Sequence, residues 1–439
     1  MRPSSPGFAS PRSSCRSAAS CFAGPFAGCE IGSPGATSSS RHEISNMKLL
    51  VVTSSYPRFE GDIAGRFVLE WVEHLVGIGH EVKVLTWFDS AARGAPLEVE
   101  HDVVRIPYAP PGADTLFYGA GTPENIRQKP LRALLTAPAA LVMAGRIAHE
   151  IQHFEPDVLV GHWLVPSGLL VRAAGQLTGV PTVVVGHSGG VHLLDKLPRP
   201  VARAVAAFVA AGPTTVPSLP LAEKLGRLGG YGAHVLPMGF EPVRGADLRP
   251  SSGERTDWLC MGRLVDIKGI DLAIEAFARA DLPSTTTLHI AGDGPKRVEL
   301  ENLADALGAN VSFHGFVTGE DRERLWARCG YALFASREVD GRHEGLPVSL
   351  LEACSRDIMP LCGGIPGVGA YLADRDLQEM TTQSVEEWAR RIKTLAGLPT
   401  SEREELAERQ RAKIAELEWP RLIERWDSLL DSARSPGFR

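Results

Sequence analysis

Glu344 and Glu352 stand with seven residues between them in HEGLPVSLLEA (343–353). Pro347 suits the first turn of a helix, which leaves Glu344 in the loop before it and sets Glu352 on the helix, a little over one turn on. Carboxylates at that reach could hold different hydroxyl pairs of one elongated polyhydroxyl ligand. Taken alone, they read more readily as a surface loop and a solvated helix residue. Arg263 and Lys268 share one strand–helix loop, GRLVDIKG (262–269). A guanidinium and an ammonium so close suit a diphosphate, although two ordinary exposed cations would look the same. GDGP (292–295) is a further strand-end loop, where Gly292 could let a ligand approach the backbone; HGFV, with Phe316, says little by itself. His162 and His187 each end an apolar run, and a lone strand-end histidine is more often structural. The one Asp-x-Asp, Asp374-Arg375-Asp376, lies in a polar, helix-like stretch, and no Cys/His cluster has metal spacing, so no metal site is expected.

These residues need elements to carry them. From Met47 onward, short apolar runs alternate with longer helical patterns, the signal of parallel strands joined by crossover helices. KLLVVTSS, EVKVLTW, PDVLVGHW, PTVVVGHS and TTVPS form a first series, which VLPMGFEP closes. TDWLCMGRL, TTTLHIAGDG, ANVSFHGFV, YALFASRE and MPLCGG form a second. The Pro- and Gly-bearing stretch Val235–Gly253 reads as the linker. The expectation is a domain over 47–245 and another over 246–439, each a doubly wound α/β sheet. Ligands of such sheets bind beyond the carboxyl ends of the strands, which is where the residues above fall.

The composition fits. The 439 residues are 44% hydrophobic and 22% charged, with a net charge of −6 and no excess of cations to suit nucleic acid. No run approaches the roughly 18–20 apolar residues that span a bilayer. Residues 1–46 are rich in Ser, Pro, Gly, Ala and Arg and hold no hydrophobic period; they read as a disordered extension or as a start placed ahead of the true one at Met47. CFAGPFAG is too broken for a secretory apolar core of about 7–15 residues. Cys15, Cys21 and Cys29 fall in that stretch, while Cys260, Cys329, Cys354 and Cys362 are scattered through apolar runs, as in a reducing compartment.

GRLVDIKG, AGDGP, FHGFV and EGLPVSLLEA, in this order and spacing, resemble the second lobe of family 4 glycosyltransferases. SSYPRFEGDIAGRFV, GHEVKVLT, DVLVGHWLVPSG, VVVGHSGG and VLPMGFEP are similar to the first lobe. The resemblance is greatest to bacterial enzymes of polysaccharide and cell-envelope assembly. It implies a GT-B fold: two Rossmann-like lobes facing a central cleft, with the C-terminal helices returning to the first lobe. It also implies metal-independent, retaining hexosyl transfer from a UDP- or GDP-linked sugar, a substrate rather than a cofactor, to a sugar or lipid-linked hydroxyl. In that frame Arg263 and Lys268 grip the donor diphosphate and Glu352 takes the ribose hydroxyls. Glu344 holds the transferred sugar, with Gly345, Leu346, Gly292 and Phe316 lining the donor site. Gly61 and Gly65 present backbone N–H groups to the diphosphate, and His162 faces the cleft beside sugar and phosphate. His187 is a second sugar or acceptor contact.

The sequence departs from the family pattern at two places. Arg356 and Asp357 stand where relatives carry Gly, and Gly367 stands where they carry an acid. Those departures keep open a non-catalytic nucleotide-sugar-binding scaffold. An epimerase or hydrolase on the same fold also remains, whereas an NAD-dependent enzyme fits poorly because no Gly-x-Gly-x-x-Gly follows the first strand. A cytoplasmic protein is expected. IRQKPLRALLTAPAALVMAGRIAHE (126–150) reads as an ordinary lobe helix interrupted at Pro138, or as a peripheral contact with the inner membrane face.

Overall fold

Lys48–Val52 (β1), the apolar run KLLVV, is an interior strand of a seven-stranded sheet, with all but its first residue buried. In a computed structural model, residues 46–119, 121–242 and 255–435 are described. Residues 1–45, with their three cysteines, and most of the expected linker lie outside them.

The other strands of this sheet are β2 (Glu81–Trp87), β3 (Asp102–Ile106), β4 (Val158–His162), β5 (Thr182–Val185), β6 (Thr214–Val216) and β7 (His234–Val235). Their order is β3-β2-β1-β4-β5-β6-β7, and every pairing is parallel. The second sheet holds β8 (Asp257–Met261), β9 (Leu288–Ala291), β10 (Val311–Gly315), β11 (Cys329–Phe334), β12 (Met359–Gly363) and β13 (Glu379–Met380). Its order, β10-β9-β8-β11-β12-β13, is again all parallel. Both sheets reverse direction beside their first strand, which opens a crevice at the carboxyl edge. Their central strands are buried on both faces, as crossover helices on two sides require. Cys260, Cys329, Cys354 and Cys362 are free and buried, and burial raises each thiol above its ordinary pKa.

The chain crosses between the lobes a second time near its end. Phe240, just after β7, pairs with Glu418: its amide donates to the Leu417 carbonyl (3.2 Å) and its carbonyl accepts from Trp419 N–H (3.1 Å). The C-terminal helix Trp419–Arg434 then lies on the first lobe. Trp426 meets Trp71 edge-on at 5.5 Å, and both are fully buried. His80 accepts from the Met47 amide through Nδ1 (3.2 Å) and faces Asp427 through Nε2 (3.0 Å), tying the start of β1 to this helix.

One expectation needs correction. Pro130–His153 is 24 residues long and apolar enough, by length and composition, to cross a membrane. Pro138 does not interrupt it: the α-helix runs Thr136–His153, so the proline sits in its first turn, where no intrahelical N–H is needed. Ala139, Met143, Ile147 and Glu150 form its buried side.

Candidate functional site

Chemistry collects where both sets of strands end. In the second lobe, β8 runs into Gly262 and Arg263, and a 3-10 turn (Asp266–Lys268) brings Lys268 back beneath Gly262. Lys268 Nζ forms an ion pair with Glu344 Oε1, and the Ser336 hydroxyl donates to Glu344 Oε2. Ser336 follows β11, so the Glu344 carboxylate is oriented from two strand ends. Pro347 caps the helix Val348–Ser355, which leaves Glu344 in the loop and carries Glu352 on the helix. Arg322, from the helix Gly319–Arg328, pairs with Glu352 Oε1. Arg263 is exposed, with no side-chain hydrogen bond or ion pair among the described residues. Phe316 is also exposed beside β10, and Leu346 packs on the core.

The Glu344 loop reaches the first lobe. Asp340 and Gly341 (φ 53° and 73°) turn a tight hairpin closed by the Val339–Arg342 pair, the signature of an Asp-Gly type I′ turn. The Gly341 carbonyl accepts from Lys224 (3.3 Å), and the His343 carbonyl lies 3.1 Å from His192 Nε2. Lys224 also pairs with Asp195 (2.9 Å). Gly345 faces Ser188, and Gly367 faces Pro220. Beside these contacts lies a pocket of about 370 Å³ whose walls include His192, Pro220, Lys224, Arg227, His343 and Glu344.

Two expected contacts are placed differently. His162 does not face the cleft. Its ring is fully buried, edge-on to Trp71 (4.8 Å), with Nδ1 against His187 Nε2 (3.2 Å) and Nε2 unpartnered among the described residues. His187 stands in front of it, flanked by Phe67 and Trp163, and is the more accessible ring. Gly292 does not offer its backbone to a ligand. Its amide donates to the Gly315 carbonyl (2.7 Å), and at φ 146° a Cβ would lie 1.9 Å from the Gly262 carbonyl. Gly65 (φ 70°) is required by the Ser55 carbonyl, 2.2 Å from where its Cβ would be, a constraint that leaves its amide N–H uncommitted among the described residues. Gly61 faces open space.

The family departures have local reasons. Asp357 holds the left-handed backbone (φ 57°) that would suit glycine, and Arg411 pairs with its carboxylate. Arg356 lies over Trp326 (5.3 Å) and bonds Glu323 (3.0 Å). Asp374 accepts from the Leu377 amide (3.0 Å) as a helix cap. Among the described residues no group of three or more His, Cys, Asp or Glu side chains is placed to hold a metal ion.

Burial holds His162 neutral, helped by His187, and burial pushes His187 down to about 3. In the unfolded chain each ring takes up a proton near its ordinary pKa of about 6.5. The unfolded state therefore binds more protons between about pH 3 and 6.5, and stability falls as pH drops through that window. His187→Asn should lessen the loss between pH 7 and 5 by about 2 kcal/mol in urea unfolding; identical pH slopes for the two proteins would refute the neutral-ring assignment.

Two parallel Rossmann-like lobes that meet at their carboxyl edges, with cations and carboxylates gathered on one side of the crevice, define a GT-B architecture. Residues 64–239 match the glycosyl transferase 4-like domain, and residues 249–413 match glycosyl transferases group 1. The chain belongs to this family of glycosyltransferases. It is 23% identical over 346 residues to the putative teichuronic acid biosynthesis glycosyltransferase TuaC of Bacillus subtilis, covering 74% of this chain and 82% of that one. Its fold is similar to sucrose-phosphate synthase from Thermosynechococcus elongatus (TM-score 0.68, 16% identity, 88% of this chain and 99% of that one). HepE of Anabaena, solved with UDP and glucose, is also similar (TM-score 0.61, 15% identity, 88% of this chain and 100% of that one).

Proposed function

We propose that the protein transfers a hexosyl group, with retention and without a metal, from a nucleoside-diphosphate sugar to a hydroxyl of a cell-envelope polysaccharide or glycolipid. The observation that carries this reading is the set of charged groups at the carboxyl edge of the second lobe: Arg263, unpaired among the described residues, with Lys268 and Arg322 engaged by Glu344 and Glu352. Glycosidic cleavage leaves negative charge on the departing diphosphate, and preorganised cations stabilise that charge. Arg263 is free to receive it. Lys268, held beside Glu344, links the phosphate site to the sugar site. Glu344, oriented by Ser336, then aligns the anomeric carbon, while a departing phosphate oxygen takes the acceptor proton on the same face. Glu352 binds the ribose hydroxyls. The bound UDP of HepE and the teichuronic acid role in the name of TuaC support the donor and acceptor classes.

A thermal-shift panel of UDP-, GDP- and ADP-sugars tests the donor, since a ligand at about a hundred times its Kd adds about 2.7 kcal/mol of stability. Arg263→Ala should weaken the stabilising donor by about tenfold or more; an unchanged midpoint would remove Arg263 from the phosphate site. Turnover should persist in EDTA, and strict dependence on added Mn²⁺ or Mg²⁺ would overturn the metal-free reading. Donor consumption in the absence of any acceptor would favour a hydrolase or epimerase. Nucleotide-sugar binding without turnover over a broad acceptor panel would favour the scaffold.

A further inference from the structure

The crossover from β3 to β4 holds a short helix (Thr122–Gln128), a 3-10 turn (Pro130–Leu135) and then the helix Thr136–His153. Its buried stripe faces the first sheet. The opposite side of a surface helix is ordinarily polar. Here Leu131, Leu134 and Leu141 are 79%, 74% and 74% exposed, and Val142 is also exposed. Ala137, Pro138, Ala144 and Gly145 extend the same apolar face toward solvent. Residues 125–149 contain no Asp or Glu, yet carry Arg127, Lys129, Arg132 and Arg146. Lys129 is exposed; Arg132 donates to the Asn125 carbonyl (3.3 Å), and Arg146 pairs with Glu150. Lys129, Leu131, Arg132 and Leu135 also border a shallow groove of about 530 Å³ with Gly112, Ala113 and Thr115.

A crossover helix between parallel strands runs antiparallel to them. The chain leaves the carboxyl end of β3 at Ile106 and enters the amino end of β4 at Val158. The apolar, cation-bearing turn that leads into the long helix therefore lies toward the carboxyl edge of the sheet, the edge that also carries His187.

We propose that this face docks the protein on an anionic lipid bilayer, with the leucines among the acyl-chain boundary and the cations at the headgroups. The helix lies on the membrane rather than spanning it, because its other side is committed to the sheet and the chain returns at once to β4. Apolar burial and attraction to anionic headgroups act together on such a face, and the absence of acids over 125–149 gives the charge complementarity. The contact stands on the exposed face alone; that it presents a lipid-linked hydroxyl to the cleft rests on the transferase reading above.

Flotation of the full chain with phosphatidylcholine vesicles, with and without phosphatidylglycerol, tests the contact. Binding should require the anionic lipid and weaken with salt. The triple variant L131S/L134S/L141S should bind about tenfold more weakly or worse, with its donor-induced thermal shift intact as a check on folding. No flotation of the wild type with anionic vesicles, or equal flotation of wild type and variant, overturns the proposal. So does a wild-type dimer that the triple variant converts to a monomer without any vesicle binding, which would assign the face to a second copy of this chain. Anionic flotation lost in the variant, in a protein that shows no shift with any nucleotide sugar, would support the docking face while removing the transferase reading.

Discussion

Glu344→Gln should lower kcat by about a hundredfold or more while the donor Kd stays within about threefold. The amide keeps the shape of the carboxylate and can still meet the Ser336 hydroxyl, so the loop should hold its place. What disappears is the charge that holds Lys268. A lysine relieved of its carboxylate is a better phosphate ligand, so nucleotide affinity should be equal or slightly improved. This split separates a sugar-aligning role from a structural one, because a collapsed loop would weaken both parameters together. Steady-state turnover beside direct titration of the nucleoside diphosphate reads it. Unaltered turnover would refute the assigned role. Ser336→Ala should shift the same two parameters in the same direction, by a smaller factor, because it removes one of two groups that orient the carboxylate.

Trp426→Ala is expected to destabilise the protein by about 3–5 kcal/mol, the range for truncating a buried Trp. The indole is fully enclosed between the C-terminal helix and the first lobe, edge-on to Trp71, which in turn backs the His162 ring. Aromatic pairs of this geometry add to simple area burial. The loss should appear first as protease cleavage near 415–435, ahead of global unfolding in urea. A midpoint unchanged from wild type would mean that the helix contributes little to the stability of the lobe beneath it.

The sequence exposed most of the two sheets because their central strands are apolar runs buried on both faces. It concealed β3, HDVVRIP, which is an edge strand only half covered and interrupted by His, Asp and Arg. It also concealed β13, two residues paired only with Cys362 and Gly363 of β12. In the site, Arg263, Lys268, Glu344 and Glu352 announce themselves through charge type and spacing. Arg322 and Ser336 do not, since an arginine on an exposed, charge-rich helix and a serine after a strand look like surface residues until the fold sets them beside the carboxylates. The order of the two histidines was also illegible. Both follow apolar runs, and the packing of Trp71 against the His162 ring marks it as the hidden one. A glycine pattern alone could not separate ligand-facing from backbone-facing positions: Gly292 is demanded by the Gly262 carbonyl and gives its amide to Gly315.

The paired crossings at Phe240 and Glu418 bear on how this chain could be rearranged. The first lobe is built from two separate pieces of sequence, because its covering helix, Trp419–Arg434, is encoded after everything in the second lobe. A single exchange at the linker would therefore deliver a new donor lobe together with a foreign cover for the old acceptor lobe. Grafting a donor specificity into this protein calls for two junctions, one on each side of the paired strands, with the native helix restored at the end. A recombinant fragment cut at the linker would leave Trp71 bare.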